Sequence, residues 1–205
     1  AHKAKIGQHD LSVKFVARNS YNARWKFQSF FGWMNHVCFN TLVSGQKLAY
    51  SANRHTTHFD VKTSNMKIQN AVSAITDETK RFQHWWDKPV NDEQVAEMFK
   101  KTIVKGTITD AQANSGFSDI NKKQLYILMG LYDQEVKQIH GMGDYGRKSA
   151  KGSLWCAYQS ATAWSTHLGD VTSKTVDKKH IVQQKRQSKI RDMINSKSWK
   201  QLEEV

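Results

Sequence analysis

The hydrophobic period of this chain changes once, and that change limits the folds open to it. Up to about residue 62, apolar residues alternate with polar ones in short runs. That is the two-residue period of a strand with one buried face. Beyond Ser64 they recur three or four apart, the period of an amphipathic helix. Strands first and helices second is the signature of an α+β fold. The expectation is an N-terminal antiparallel β-meander packed against several C-terminal helices.

Three segments carry the strand pattern. Leu11–Ser20 sets Val13, Phe15 and Ala17 against Lys14, Val16 and Arg18. Arg24–Asn40 is dense in aromatics and is interrupted by Gly32, read as a turn or a bulge. Lys47–Lys62 mixes apolar, β-branched and basic residues, with turn residues at 19–22 and 44–46. Four helices follow. The first carries Ile68, Val72, Ile75, Phe82 and Trp86, and Pro89 stops it. The second starts at Asn91, buries Val95, Met98, Phe99 and Ile103, and ends at Lys100–Gly106. The third covers about 121–140 and carries Leu125, Leu128, Leu131, Tyr132, Val136 and Ile139. The fourth, about 153–168, presents Leu154, Tyr158, Ala161 and Leu168.

Positive charge gathers at the two ends. Residues 1–62 hold nine Lys/Arg against two Asp/Glu, and residues 174–205 hold nine against four. Between them, thirteen face twelve, so the excess of the +13 chain lies outside its middle. The expected organisation is a nucleic-acid-binding core over 1–173 and a basic, partly helical tail over 174–205. In that tail Ile181, Ile190, Ile194 and Leu202 are too sparse for a core helix. A basic sheet rich in aromatics is the footprint of a polyanion site with base stacking.

The phosphate-neutralising residues are expected to be Lys14, Arg18, Arg24, Lys26, Arg54 and Lys62. Arg147, Lys148 and Lys151, in the glycine-rich stretch Gly141–Gly152, would close the groove or meet a neighbouring subunit. Most strand aromatics are expected to pack inward, and Trp25 or Trp33, Trp33 above all, would stack bases. Gly141, Gly143 and Gly146 match G-x-G-x-x-G but follow a helix, so no nucleotide cofactor is expected. His36, His55, His58 and His167 lack the spacing of a metal centre, and no metal or catalytic residue is assigned. Cys38 and Cys156 are distant and solitary, which fits reduced thiols in a cytoplasm. No apolar run reaches the length of a membrane span. The chain opens on Ala1 and not Met, so whether residues precede it is open.

Two resemblances add to this reading. Asn19-Ser20, then Gly32 leading to Val37-Cys38-Phe39-Asn40-Thr41-Leu42, and Arg54-His55-Thr56 carry the first. So does the late run from Gly152 through Trp155, Tyr158, Thr162 and Trp164 to His167, with Gln159-Ser160 in place of Asn-Ala. In these the chain resembles the phage/plasmid-like proteins of unknown function, DUF932, over most of residues 19–168. The resemblance implies a phage or plasmid origin, a short N-terminal part here and no particular activity. The second is architectural. A β-meander followed by a long helix is similar to single-strand annealing proteins of the Red-beta and recombination-mediator type, which implies rings or filaments on DNA.

The resulting expectation is a non-enzymatic, phage-encoded protein of the infected bacterial cytoplasm. It would bind single-stranded nucleic acid, DNA in the first place, as a ring or filament of copies, and promote annealing or recombination. Two alternatives stand beside it. One is a metal-dependent nuclease or anti-restriction enzyme. The other is a virion or host-takeover interaction protein whose basic tail docks an acidic partner.

Overall fold

The computed structural model describes residues 3–7, 9–18, 27–35, 41–42, 51–53, 66, 77–104, 119–141, 152–167, 169 and 176–204. They form an α+β protein that divides into two compact units, Ala1–Gln83 and His84–Val205. The expected boundary near residue 173 therefore falls inside the second unit.

The first unit is built on an antiparallel sheet. Its strands are β1 (Lys3–Ile6), β2 (His9–Arg18), β3 (Phe27–Asn35), β4 (Thr41–Leu42) and β5 (Ser51–Asn53). The order is β1-β2-β3-β4, with β5 also on β3. β1 is absent from the expected meander, which began at Leu11. It folds back on β2 at Gly7, whose φ of 54° is a left-handed value that a side chain would oppose. The β2–β3 register runs without a break from Leu11 opposite Asn35 to Arg18 opposite Gln28. Gly32 sits inside it, opposite Lys14, and is neither turn nor bulge.

One face of this sheet is core. Ile6 pairs with His9, Leu11 with Asn35 and Val13 with Trp33, and all but the half-buried Val13 are buried. Directly opposed residues of an antiparallel pair share a face, so these side chains form one layer. A helix over residues 77–87, α1, supplies this unit with Phe82, edge-on to Trp33 at 6.2 Å, and with Glu78, which accepts from Trp33 Nε1 at 3.1 Å. Within the layer Asn35 Nδ2 donates to His9 Nδ1 at 2.6 Å, which places the ring proton on Nε2. Burial depresses this imidazole to a pKa of about 4.

The second unit is helical. α2 (Asp92–Phe99) starts as the sequence implies: Asn91 Oδ1 accepts from Gln94 N–H, and Gln94 Oε1 accepts from Asn91 N–H. It does not end at Lys100 but widens into a π-helical turn, Lys100–Val104, that brings both Ile103 and Val104 into the core. α3 (Asp119–Gly141), α4 (Leu154–Thr166), α5 (Val176–Ile194) and α6 (Lys197–Glu204) follow. A two-stranded clasp, β6 (Pro89–Val90) on β7 (Gly152–Ser153), ties the start of α2 to the start of α4. Gly152 is required there, since a Cβ would fall 1.9 Å from the hydroxyl oxygen of Tyr132.

α4 is the axis of this unit. Every residue from Leu154 to Ser165 is buried, so the expected four-residue apolar face is in fact a helix covered on all sides. Its alanines and hydroxyl residues allow this. Ser160, Thr162 and Ser165 each donate to the carbonyl three residues back, at 2.8–2.9 Å, and need no outside partner. A row of rings runs from α6 to α4: Trp199 meets Trp85 of α1 at 5.0 Å, Trp85 meets Tyr158 at 4.9 Å, and Tyr158 meets Trp155 at 5.7 Å. It is Trp85, not Trp86, that α1 buries.

The tail expectation is corrected here. Ile190, Met193, Ile194 and Trp199 are buried completely. Arg186, Ile190, Met193 and Ile194 recur three or four apart on α5, and the buried cation among them hid the stripe.

Candidate nucleic-acid interface

The register places four basic residues, Lys3, Lys5, Lys14 and Arg18, on the face of the sheet opposite its core. Lys3 and Lys5 of edge strand β1 are exposed and lie opposite Ser12 and Asp10 of β2. Lys14 and Arg18 occupy the same alternate register on β2, opposite Gly32 and Gln28 of β3. From Ser12 to Arg18 that register covers roughly 20 Å at a strand's rise of about 3.4 Å per residue. Residues 1–83 carry twelve Lys/Arg against four Asp/Glu. Lys3 and Lys5 were not anticipated; the alternation Lys3-Ala4-Lys5-Ile6 before a glycine was their signal.

Trp33 does not serve as the stacking residue. It is 1% exposed, on the opposite face of β3, with its indole N–H committed to Glu78. Its odd position in β3 put it in register with Val13, and therefore in the core. Arg24, Lys26, Arg54, Lys62, Arg147, Lys148 and Lys151 lie outside the described residues, as do Trp25, His36, His55 and His58.

The cations of α5 and α6 divide into two groups. Lys178, Lys179, Lys185, Lys197 and Lys200 are exposed. Arg186 is buried, with its guanidinium 4.4 Å over the ring of Trp164 and Nη1 donating to the Trp164 carbonyl at 2.6 Å. Lys189 Nζ donates to the Ile103 carbonyl at 2.9 Å. Both cations sit on the carbonyl ends of helical segments, where the backbone dipole favours them. Burial, then the neighbouring Arg186, lowers the Lys189 pKa.

Three further titratable side chains, Cys156, Glu135 and Tyr132, are buried in the helical unit. The Cys156 amide donates to Ser153 Oγ at 3.4 Å, and Cys156 Sγ lies 3.5 Å from that same oxygen. Burial pushes the thiol up, and the Glu135 carboxylate adds to the effect. A thiol kept protonated is a poor nucleophile. Glu135 itself is pushed up to about 7 by burial. Tyr132, raised by burial and then by Cys156 and Asp92, donates to the Val90 carbonyl at 3.5 Å. His167 is exposed at the end of α4. Among the described residues no three His, Cys, Asp or Glu side chains form a group able to hold a metal ion. No helix among them is long and apolar enough to cross a membrane.

A family model described as Domain of unknown function (DUF932) matches residues 1–191. No curated protein and no solved structure matches the chain. The family-like run Gly152–His167 coincides with β7 and the buried α4, so its glycine, tryptophan and tyrosine serve packing.

Proposed function

The chain belongs to the DUF932 family, and from that premise we propose that it binds single-stranded nucleic acid, DNA in the first place, through the outer face of its sheet. The observation that carries this reading is the pairing of exposed Lys3 and Lys5 with a β2 register that continues through Lys14 and Arg18. Lysines in a row neutralise successive phosphates and release condensed counterions, which needs no base-specific contact. In this reading the protein assembles as copies along the strand, promotes annealing or recombination without catalysing a covalent step, and acts in the cytoplasm of a phage-infected bacterium.

The test is a fluorescence-anisotropy titration of a labelled oligothymidylate at several salt concentrations. Affinity is expected to fall steeply with salt, at about 0.7 logarithmic units per phosphate contact on a single strand. The double change Lys3→Glu, Lys5→Glu should lower both affinity and slope while leaving the melting curve in place. A salt-independent affinity, or a double variant that binds as well as the parent, would remove the sheet from the interface.

A further inference from the structure

α3 carries an exposed stripe that packing does not explain. Asn121, Leu128, Tyr132 and Glu135 face the core of the helical unit. On the opposite side Lys122, Lys123, Tyr126, Gly130, Asp133 and Lys137 are exposed, Tyr126 to 80%. At about 100° per residue they fall within one narrow sector of the helix. A single exposed aromatic is ordinary on a protein surface. Gly130 is not ordinary. A mid-helix glycine costs about 1 kcal/mol relative to alanine, and it is normally kept for a close approach or a turn. Here, among the described residues, nothing lies within 4 Å of where its Cβ would be.

The direction of helical side chains gives the glycine a use. Side chains lean toward the helix N-terminus, so a residue at position 130 would cover the surface beside Tyr126. Gly130 leaves that surface bare, and the phenol has an open slot one side chain wide on its C-terminal side. Lys122 and Lys123 stand one turn before Tyr126, about 4.5–6 Å along the axis. The acid in the stripe, Asp133, is tied to Lys137 Nζ at 2.6 Å.

We propose that Tyr126 and the gap at Gly130 form a base-stacking slot for single-stranded nucleic acid, with Lys122 and Lys123 holding the adjoining phosphates. This rests on the nucleic-acid reading above. Stacking on an exposed ring tolerates any base, as a sequence-independent binder needs.

The experiment compares two probes on the full chain: labelled oligothymidylate, and inorganic polyphosphate, which has the charge without the bases. Tyr126→Ala should weaken oligothymidylate binding roughly tenfold and leave polyphosphate binding unchanged. Tyr126→Trp should retain the affinity. Gly130→Gln should fill the slot and weaken oligothymidylate binding while raising the melting temperature, which separates loss of the slot from loss of the fold. Unchanged oligothymidylate binding in both Tyr126→Ala and Gly130→Gln overturns the slot, as does an equal loss for both probes. A shift of the Tyr126→Ala mass distribution to smaller assemblies without nucleic acid also overturns it, since the stripe would then be a contact between copies. If the unaltered protein fails to bind oligothymidylate at all, the nucleic-acid reading falls first, and the slot with it.

Discussion

The sheet unit and the helical unit differ in the charge they bury: among the described residues only the helical unit has a buried cation. In the sheet unit, exposed Lys3 and Lys5 stand on the face away from the core, and the core side buries a neutral imidazole, His9. In the helical unit, Arg186 and Lys189 turn inward to end helical segments, and a carboxyl, Glu135, is buried. Net charge alone does not separate a binding surface from a structural cation; the partners of each cation do. A guanidinium over an indole and on a carbonyl is part of the fold.

The largest test of this contrast is removal of residues 174–205. A solvated tail would leave the helical unit intact, whereas loss of Ile190, Met193, Ile194 and Trp199 should abolish its cooperative unfolding, measured by circular dichroism. Trp199→Ala alone should cost about 3–5 kcal/mol, as large aromatic truncations in cores do. A truncated protein with full helicity and a sharp melt would make these residues a dispensable tail after all.

The pH responses of the two units should have opposite sign. The unfolded chain protonates His9 near 6.5, but the folded sheet unit refuses that proton until about 4. Its stability therefore falls on acidification through this window, by up to about 3 kcal/mol. Folded Glu135 holds its proton up to about 7, while the unfolded chain releases it near 4.5. The helical unit therefore loses stability as pH rises through that window, by up to a similar order, about 3 kcal/mol. Urea titrations followed on the assigned indole N–H signals of Trp33 and Trp199 would read the two units separately. Glu135→Gln should flatten the second response and leave the first. Responses of the same sign would break the comparison.

A smaller effect distinguishes cations on one helix. Arg186→Ala should destabilise the helical unit by about 2 kcal/mol, and Arg186→Lys should recover only part, because an ammonium cannot reproduce the planar stack and the carbonyl contact together. Smallest of all, Lys179→Ser, about two turns away on the exposed surface, should change the melting curve by no more than about 0.5 kcal/mol. Equal losses at Arg186 and Lys179 would contradict the division into inward and outward cations.

The sequence by itself determined the order of strands and helices and the α+β class, because a two-residue and a 3.6-residue period are local properties of the chain. It also determined the start of α2, since Asn91, Asp92, Glu93 and Gln94 satisfy the first turn among themselves. The alternation in β2 was legible for the same reason, with Leu11 buried and Val13 half-buried on the face that parity assigned them. Only the tertiary structure decided which second surface each element meets. Trp33 was indistinguishable from a stacking residue until Glu78, forty-five residues later, took its indole N–H. α4 showed one apolar stripe, yet neighbours from α3 and α5 and its own small residues close every side. The basic tail became core because Arg186 found the Trp164 ring and carbonyl. Burial of a cation or an indole depends on partners distant in the chain, and no local period records them.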